Sequence, residues 1–358
     1  MGLSVIPHDV FVAFGIDEAL SQSQPHGSGH IHHTFCVKTL ERNYIFQCIN
    51  QKVFPDVDAL MENLFHVTCY ITNCSTFKNS TLRFFKTING GSYYTDYHGE
   101  YWRVMEMIPY AVTYDKALSA EMAFEAGKIL GKFHFLLRNF PSKELHIILP
   151  GFHQLEVRWH DFILAMKKAK PERLREAGNL IQSITSVSID EIAFSNKIYH
   201  SATPRRVVHN DPKINNVLFD QHLKGICMID LDTVMPGSYL HDFGDALRTT
   251  ANPFEEDEPD ISLIQFDSNL LKAYCEGYLP HLKNVLTNDE IDGLPHAPAH
   301  MTFIIGLRFL TDYLNEDVYF RIGHSKHNLQ RAKAQFALYH DFVIREKEIK
   351  RIIHSLIN

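Results

Sequence analysis

Three polar side chains at fixed intervals stand out in the stretch HNDPKINN: His209, Asp211 and Asn216 fit the spacing H-x-D-x-x-x-x-N. An aspartate at the apex of a loop can accept the proton of an attacking hydroxyl. An asparagine five residues on, where the chain enters a strand, can offer oxygen to a magnesium ion bridging nucleotide phosphates. The apolar runs VLF at 217–219 and GICMI at 225–229 are expected to pair as a hairpin whose second strand ends at Asp230, where a second metal ligand belongs. Asn and Asp also serve as ordinary turn residues. The Asp nineteen residues downstream at a strand end and a glycine-bearing hairpin earlier in the chain favour phosphoryl transfer, a chemistry of positioning and charge neutralisation.

Two further aspartates near this ribbon need separate roles. HDFGD at 241–245 contains a literal Asp-Phe-Gly, a metal-binding signature elsewhere, but Asp242 follows PGSYL, a turn, and comes 31 residues after Asp211. It is expected to cap the helix carrying ALRTT. Asp232 lies two residues past Asp230, on the same side of an extended chain, and three fates stay open for it: metal contact, an active-site hydrogen bond or solvent.

The elements that must position these groups change character along the chain. IHHTFCVKT, NYIFQCIN and EYWRVMEMI read as strands, and DVDALMENLFHVTCYI between them has helical spacing at Leu60, Leu64 and Val67. From about residue 117 the pattern is helical: Met122, Ala126, Ile129, Leu130, Phe133, Leu136 and Leu137 share one face, with Ser119 ahead of them and no capping Glu. Further helices are expected at 154–169, 172–187, 267–281, 299–314 and 328–350. The expectation is an α+β, two-lobed protein: a small β-rich N-terminal lobe (1–109) that binds nucleotide, and a larger, mainly helical C-terminal lobe (110–358) that carries catalysis and substrate.

Composition narrows the partners. The 358 residues are 45% hydrophobic and 22% charged, with a formal net charge of −7, so no basic footprint points to nucleic acid or an anionic membrane. No secretory leader pattern and no run of 18 uninterrupted apolar residues is visible, which points to a cytoplasmic protein with small-molecule partners. Composition does not address the oligomeric state. The six cysteines form no Cys-x-x-Cys pair and are expected as buried free thiols. HIHH at 30–33 lacks carboxylate or Cys partners at metal-ligand spacing.

PHGSGHIHHTF, VVHNDPKINNVLFD, MIDLDTVMPGSYLHDFGDALR and LRFLTDYLNEDVYF together resemble the aminoglycoside phosphotransferase and choline kinase superfamily, the small-molecule branch of the protein-kinase-like fold. Within it, the likeness from about residue 10 to 350 is to the bacterial N-acetylhexosamine 1-kinases. The resemblance implies transfer of the γ-phosphate of ATP, with Mg2+, to the anomeric hydroxyl of a sugar such as N-acetylglucosamine or N-acetylgalactosamine. It makes Asp211 the base, Asn216 and Asp230 the metal ligands, and Lys213 a lysine approaching the transferring phosphate. Gly27, Ser28 and Gly29 fall on the hairpin over the phosphates, and backbone groups of Glu106 and Ile108 meet adenine. His30, Arg308 and Tyr319 match sugar-contacting positions. Bland readings stand beside these: an exposed loop residue for His30, an i,i+4 pair of Arg308 with Asp312, and core packing for Tyr319.

One residue departs from the pattern. The third strand of such kinases carries a Lys that grips the phosphates, and here it offers Gln47. This departure keeps open a nucleotide-binding module without catalysis, and the acidic run EEDEPD at 255–260 keeps open a kinase of an aminoglycoside, choline or another amine alcohol.

Overall fold

The computed structural model describes residues 5–27, 31–75, 80–200 and 204–357. The chain begins with helix α1 (His8–Ala13) and strands β1 (Gln22–Pro25), β2 (His33–Lys38) and β3 (Asn43–Cys48). Helix α2 (Val57–Cys74) then precedes β4 (Phe84–Phe85), β5 (Tyr94–Thr95) and β6 (Tyr101–Glu106). These strands form one antiparallel sheet in the order β1-β2-β3-β6-β4, with β5 also on β6.

Alternation along the strands gives the sheet two different faces. Phe35, Val37, Phe46, Trp102 and Val104 point to one side and pack with Val10 and Phe11 of α1 in a small core of their own. The opposite side carries Ile45 and Met105, which join the large core of the helical region, and in the next row across the same face lie Thr34, Gln47 and Arg103. Polar groups on that side are thus sandwiched between the sheet and the rest of the molecule.

After β6 the chain is irregular until α3 (Ala120–Leu137). Ser119 does cap this helix, its Oγ accepting the Met122 N–H at 3.3 Å, a contact worth about 1 kcal/mol. Helices α4 (Leu155–Lys168) and α5 (Pro171–His200) follow, α5 running well past the expected end at 187. Then come β7 (Arg206–Val208), the hairpin β8 (Val217–Phe219) and β9 (Gly225–Met228), and β10 (Met235–Gly237), which pairs with β7. Helices α6 (Tyr239–Thr250), α7 (Ser268–Leu282), α8 (Asn288–Gly293) and α9 (Ala297–Leu314) complete the core. The single helix expected at 328–350 is two, α10 (His327–Ile344) and α11 (Glu346–Ile357).

Helices α3 and α7 cross so closely that a Cβ on Gly127 would lie 2.2 Å from the Tyr274 carbonyl oxygen and one on Gly277 2.0 Å from that of Phe124. Only glycine permits this approach. The crossing matters for the candidate site because α3 carries His134 and α7 carries Tyr278, two residues that stand behind the loop at 209–216. Cys36, Cys48, Cys227 and Cys275 are buried free thiols as expected, whereas Cys69 and Cys74 are exposed. No helix among the described residues is long and apolar enough to cross a membrane.

Candidate active site

Strand β7 leads directly into His209, Asn210 and Asp211, and the loop they form is fixed from beneath. The Asp242 carboxylate accepts the backbone N–H groups of His209 (2.6 Å) and Asn210 (2.7 Å) and the His134 Nε2–H (2.8 Å). The Tyr278 hydroxyl donates to His134 Nδ1 at 3.0 Å. Burial lowers the His134 pKa, keeping a neutral ring whose tautomer this pairing sets. Asp242 is therefore no helix cap: Ser238 caps α6, and Asp242 sits one turn in, its carboxylate spent on the loop.

The loop backbone is strained where it is held. Asn210 has φ 64, left-handed for a non-glycine residue, at a cost of about 1–3 kcal/mol. It is locked there by Nδ2–H to the Thr233 carbonyl (2.9 Å) and by the His153 Nε2–H on its own carbonyl (2.8 Å). His209 donates Nε2–H to the Ile229 carbonyl at 2.8 Å and accepts the Asp211 N–H on Nδ1 at 3.3 Å. One imidazole thus ties this loop to the end of the β8–β9 hairpin.

Asp211, Asn216 and Asp230 come together at this end. Asn216 closes a 3-10 turn (Ile214–Asn216) and donates Nδ2–H to the Asp211 carboxylate at 3.0 Å and to the Asp211 carbonyl at 2.8 Å. Its Oδ1 accepts no hydrogen bond among the described residues. Lys213 Nζ lies 3.2 Å from Asp211 Oδ2. Burial would raise the Asp211 carboxyl, but Lys213 and His209 outweigh it and hold the group below its ordinary value, while Asp211 raises Lys213.

Strand β9 stops at Met228, two residues short of Asp230, which adopts φ 56 and opens to the cleft. Enclosure between the lobes raises the Asp230 carboxyl, and the Asp232 and Asp211 carboxylates raise it further. Crowded acidic oxygens and a free amide oxygen on Asn216 form a hard, all-oxygen donor set of the kind magnesium takes. Asn216 and Asp230 therefore fit such an ion.

Asp232 does not face solvent. The chain past Asp230 is a 3-10 turn (Leu231–Thr233), which swings the Asp232 side chain to the small lobe. There it accepts N–H groups from both terminal nitrogens of Arg103, Nη2 at 2.7 Å, and the His32 Nε2–H at 2.6 Å. Burial would raise this carboxyl, but Arg103 and His32 hold it far below the usual carboxylate range. Gln47 faces the same guanidinium, its Oε1 accepting N–H groups from Arg103 Nε (3.0 Å) and Nη2 (2.8 Å).

Ser28, Gly29 and His30 lie outside the described residues. Gly27, with φ 78, opens the β1–β2 connection, and the His26 N–H to Thr34 carbonyl bond at 2.9 Å closes its base. At the junction of the lobes, Glu106 ends β6 with its N–H on the Arg83 carbonyl, and the Met107 N–H goes to the Asn43 carbonyl. The Ile108 N–H makes no backbone hydrogen bond among the described residues.

On the other side of the loop, His153 leads to an aromatic and cationic wall. The Arg308 guanidinium lies 4.9 Å from the Phe152 ring centre, 5.5 Å from Phe320 and 5.7 Å from Tyr319. Arg158 stands nearby, its Nε–H on the Phe152 carbonyl at 3.1 Å; burial and the charge of Arg308 lower its pKa. The alternative reading of Arg308, an i,i+4 pair with Asp312, does not hold among the described residues. Asp312 is buried and accepts the backbone N–H groups of Tyr319 (2.8 Å) and Phe320 (2.9 Å), so it shapes the turn that presents Tyr319. Tyr319 is 58% exposed, which rules out core packing.

The first three acidic residues of the run are engaged as well. Glu255 pairs with Lys116 at 2.7 Å, Glu256 with Arg248 at 3.1 Å and Asp257 with His327 at 2.8 Å. Arg103, His32, Phe152 and Arg158 are the site residues that sequence reading missed. For Arg103 a signal existed: a charge in the middle of the apolar strand YWRVME.

Comparison with proteins of known structure places this architecture. An aminoglycoside phosphotransferase from Alicyclobacillus acidocaldarius superposes with TM-score 0.65 at 14% identity, covering 99% of this chain and 98% of that one. An ethanolamine kinase of Plasmodium vivax gives TM-score 0.56 at 16% identity over 89% and 83%. A spectinomycin phosphotransferase solved with ADP and spectinomycin gives 0.56 at 12% over 95% and 96%. At such identities these likenesses speak for the protein-kinase-like fold. The sequence profile described as "Phosphotransferase enzyme family" matches residues 23–284, which is most of the chain and takes in the loop, the hairpin and Asp242. The chain belongs to that phosphotransferase family.

Proposed function

We propose that the protein is an ATP- and Mg2+-dependent kinase that phosphorylates the anomeric hydroxyl of an N-acetylhexosamine, giving the sugar 1-phosphate. The observation that carries the choice of acceptor is the wall beside the catalytic loop, where Arg308 lies over Phe152 and next to an exposed Tyr319, with Arg158 behind it. The Arg308 guanidinium there repels an amine, Arg158 being partly offset by Asp161 at 3.4 Å, while aromatic rings and Arg N–H donors suit the faces and hydroxyls of a neutral sugar.

The reaction follows from the loop geometry. Asp211, kept ionised by Lys213, takes the proton of the anomeric hydroxyl, which is more acidic than the other sugar hydroxyls. The freed oxygen attacks the γ-phosphorus, the bond to the ADP oxygen breaks, and the proton stays on Asp211 until it leaves to solvent. Lys213 stands beside Asp211 to offset charge on the transferring group. Asn216 and Asp230 hold the magnesium, which neutralises the phosphate oxygens when bound. Gly27 opens the connection that meets the phosphates, the backbone at Glu106 and Ile108 receives adenine, and Arg308 and Tyr319 face the sugar. The lobe division at residue 109 and a cytoplasmic location belong to the same reading.

An amine alcohol as acceptor is the second reading, favoured by the ethanolamine kinase among the similar structures. Against it, the acidic residues 255–257 are held by Lys116, Arg248 and His327. A coupled ADP-release assay across N-acetylglucosamine, N-acetylgalactosamine, choline, ethanolamine and an aminoglycoside, with phosphorus NMR of the product, separates the two. A phosphomonoester on C1 of the sugar is the expected result; turnover confined to the amines overturns the proposal.

A further inference from the structure

The lysine that this fold type carries on its third strand is replaced here by Gln47, yet the protein has not lost a cation at that place. Thr34, Gln47 and Arg103 are direct partners across β2, β3 and β6. Gln47 donates Nε2–H to Thr34 Oγ1 at 3.1 Å, which turns its carbonyl oxygen toward Arg103. Arg103 then gives two N–H groups to that oxygen and two to the Asp232 carboxylate, four of the five it possesses. Asp232 takes a further bond from His32, whose Nδ1 accepts the Asn50 N–H at 3.1 Å and so leaves the proton on Nε2. Arg103, Asp232 and His32 are 3 to 5% exposed at their side chains.

The two ends of this row belong to different parts of the site. His32 stands just downstream of the glycine-bearing connection that begins at Gly27. Asp232 is in the turn that begins at Asp230, which is also held from the large lobe by Thr233 Oγ1–H on the His209 carbonyl (2.6 Å). Asn63 of α2 donates to the Val234 carbonyl at 3.0 Å, just past the turn. Among the described residues no carboxylate of α2 bonds Gln47, whose partners are Thr34 and Arg103. The charge pair between a strand and its neighbours has been rebuilt one strand over, with Arg103 as cation and Asp232 as anion.

We propose that Arg103, oriented by Gln47, is a positioning residue that fixes the Asp230–Thr233 turn and, through His32, the root of the glycine-bearing connection, so that nucleotide is held from both lobes. This rests on the reading of the cleft as a nucleotide-phosphate site. Gln47 has to be neutral in this arrangement, since a lysine there would press an ammonium against a buried guanidinium. Restoring the usual strand lysine therefore harms this enzyme.

The test is a set of purified variants: Arg103→Lys, the charge-neutral double Arg103→Gln/Asp232→Asn, and Gln47→Lys. Each is assayed for kcat, KM for MgATP and KM for N-acetylglucosamine, and for hydrogen exchange of the amides at 228–234 against those at 209–216. Expected are a rise of about 10- to 100-fold in KM for MgATP for the double variant, partial recovery in Arg103→Lys, and a loss in Gln47→Lys. The acceptor KM stays within about twofold, and exchange quickens at 228–234 but not at 209–216. Hydrogen exchange needs no turnover, so it decides the positioning role even if the wild-type protein phosphorylates no sugar and the functional reading falls. A folded double variant with wild-type exchange at 228–234, or a Gln47→Lys variant more active than wild type, overturns the proposal.

Discussion

Asn216 donates its amide N–H to the carboxylate of Asp211 at 3.0 Å and leaves its own carbonyl oxygen turned away. In the proposed function one side chain would thereby orient the base and present an oxygen ligand, coupling proton abstraction and metal binding through a single amide. The separation of the two roles can be measured. Asp211→Asn preserves shape and hydrogen bonding on one side but removes the proton acceptor, so kcat is expected to fall by about 10²- to 10⁴-fold. The far-ultraviolet circular dichroism and thermal midpoint should stay close to wild type. Activity within a few-fold of wild type would remove Asp211 from the base role.

The Asp242 carboxylate has the opposite profile, structural and indispensable. Asp242→Ala leaves the N–H groups of His209 and Asn210 and the His134 ring N–H without an acceptor in a site that water does not reach. Each unsatisfied buried donor costs about 1–3 kcal/mol. The variant is expected to lose much of its stability, read as a lower urea midpoint with an unchanged slope, and Asp242→Asn to lose less. A midpoint equal to wild type in both would mean that the loop holds its left-handed Asn210 by other means.

What was legible in the sequence was whatever rests on neighbouring residues. The H-x-D-x-x-x-x-N loop, the β8–β9 hairpin and α3 depend on local spacing, and the structure builds them where the pattern put them. Asp242 was misread because its partners, His209, Asn210 and His134, are 32 to 108 positions away. Local spacing offered only a nearby helix start, and Ser238 had already taken that. Arg308 and Asp312 sit at the right interval on α9, yet each finds a better partner outside the helix: backbone N–H groups of the 319–320 turn for Asp312, aromatic rings for Arg308. The compensation for Gln47 was equally hidden, since it requires the register of β3 against β6.

A buried charge cluster away from the cleft gives stability a pH signature. His296 donates Nε2–H to Glu191 and Nδ1–H to Glu346, both at 3.0 Å, which requires the imidazolium; His300 and the Tyr339 hydroxyl also bind Glu191. Burial opposes the charge on His296, but the two glutamates push its pKa up to about 10. Burial likewise opposes ionisation of Glu191, and His296 and His300 hold it down to about 2. A raised histidine stabilises fully below its unfolded value of 6.5 and loses that contribution as pH climbs through about 10. A depressed glutamate stabilises fully above 4.5 and loses it as pH drops toward about 2. The thermal-midpoint gap between wild type and His296→Gln is therefore expected to be widest between about pH 5 and 6.5 and to narrow toward pH 10. A gap that does not change with pH would mean His296 is neutral in the native protein.

Acceptor recognition gives the sharpest kinetic contrast. Arg308 lies against three rings and has no carboxylate partner among the described residues, so its N–H groups are free for a ligand. A hydrogen bond from a charged donor to a sugar oxygen is worth about 1.5–3 kcal/mol, which corresponds to roughly 10- to 150-fold in affinity. Arg308→Lys keeps the charge but not the planar fork or the stacking, and should raise KM for N-acetylglucosamine by about that factor while leaving KM for MgATP within about twofold. Tyr319→Phe removes a hydroxyl without moving the ring and should act in the same direction by a smaller amount. Asp312→Ala releases the Tyr319 and Phe320 N–H groups, so it should combine the Tyr319→Phe kinetic phenotype with a lower thermal midpoint. If Arg308→Lys instead raises KM for MgATP and spares the sugar, the wall formed by Phe152, Arg308 and Tyr319 faces the nucleotide, and the acceptor enters from another side.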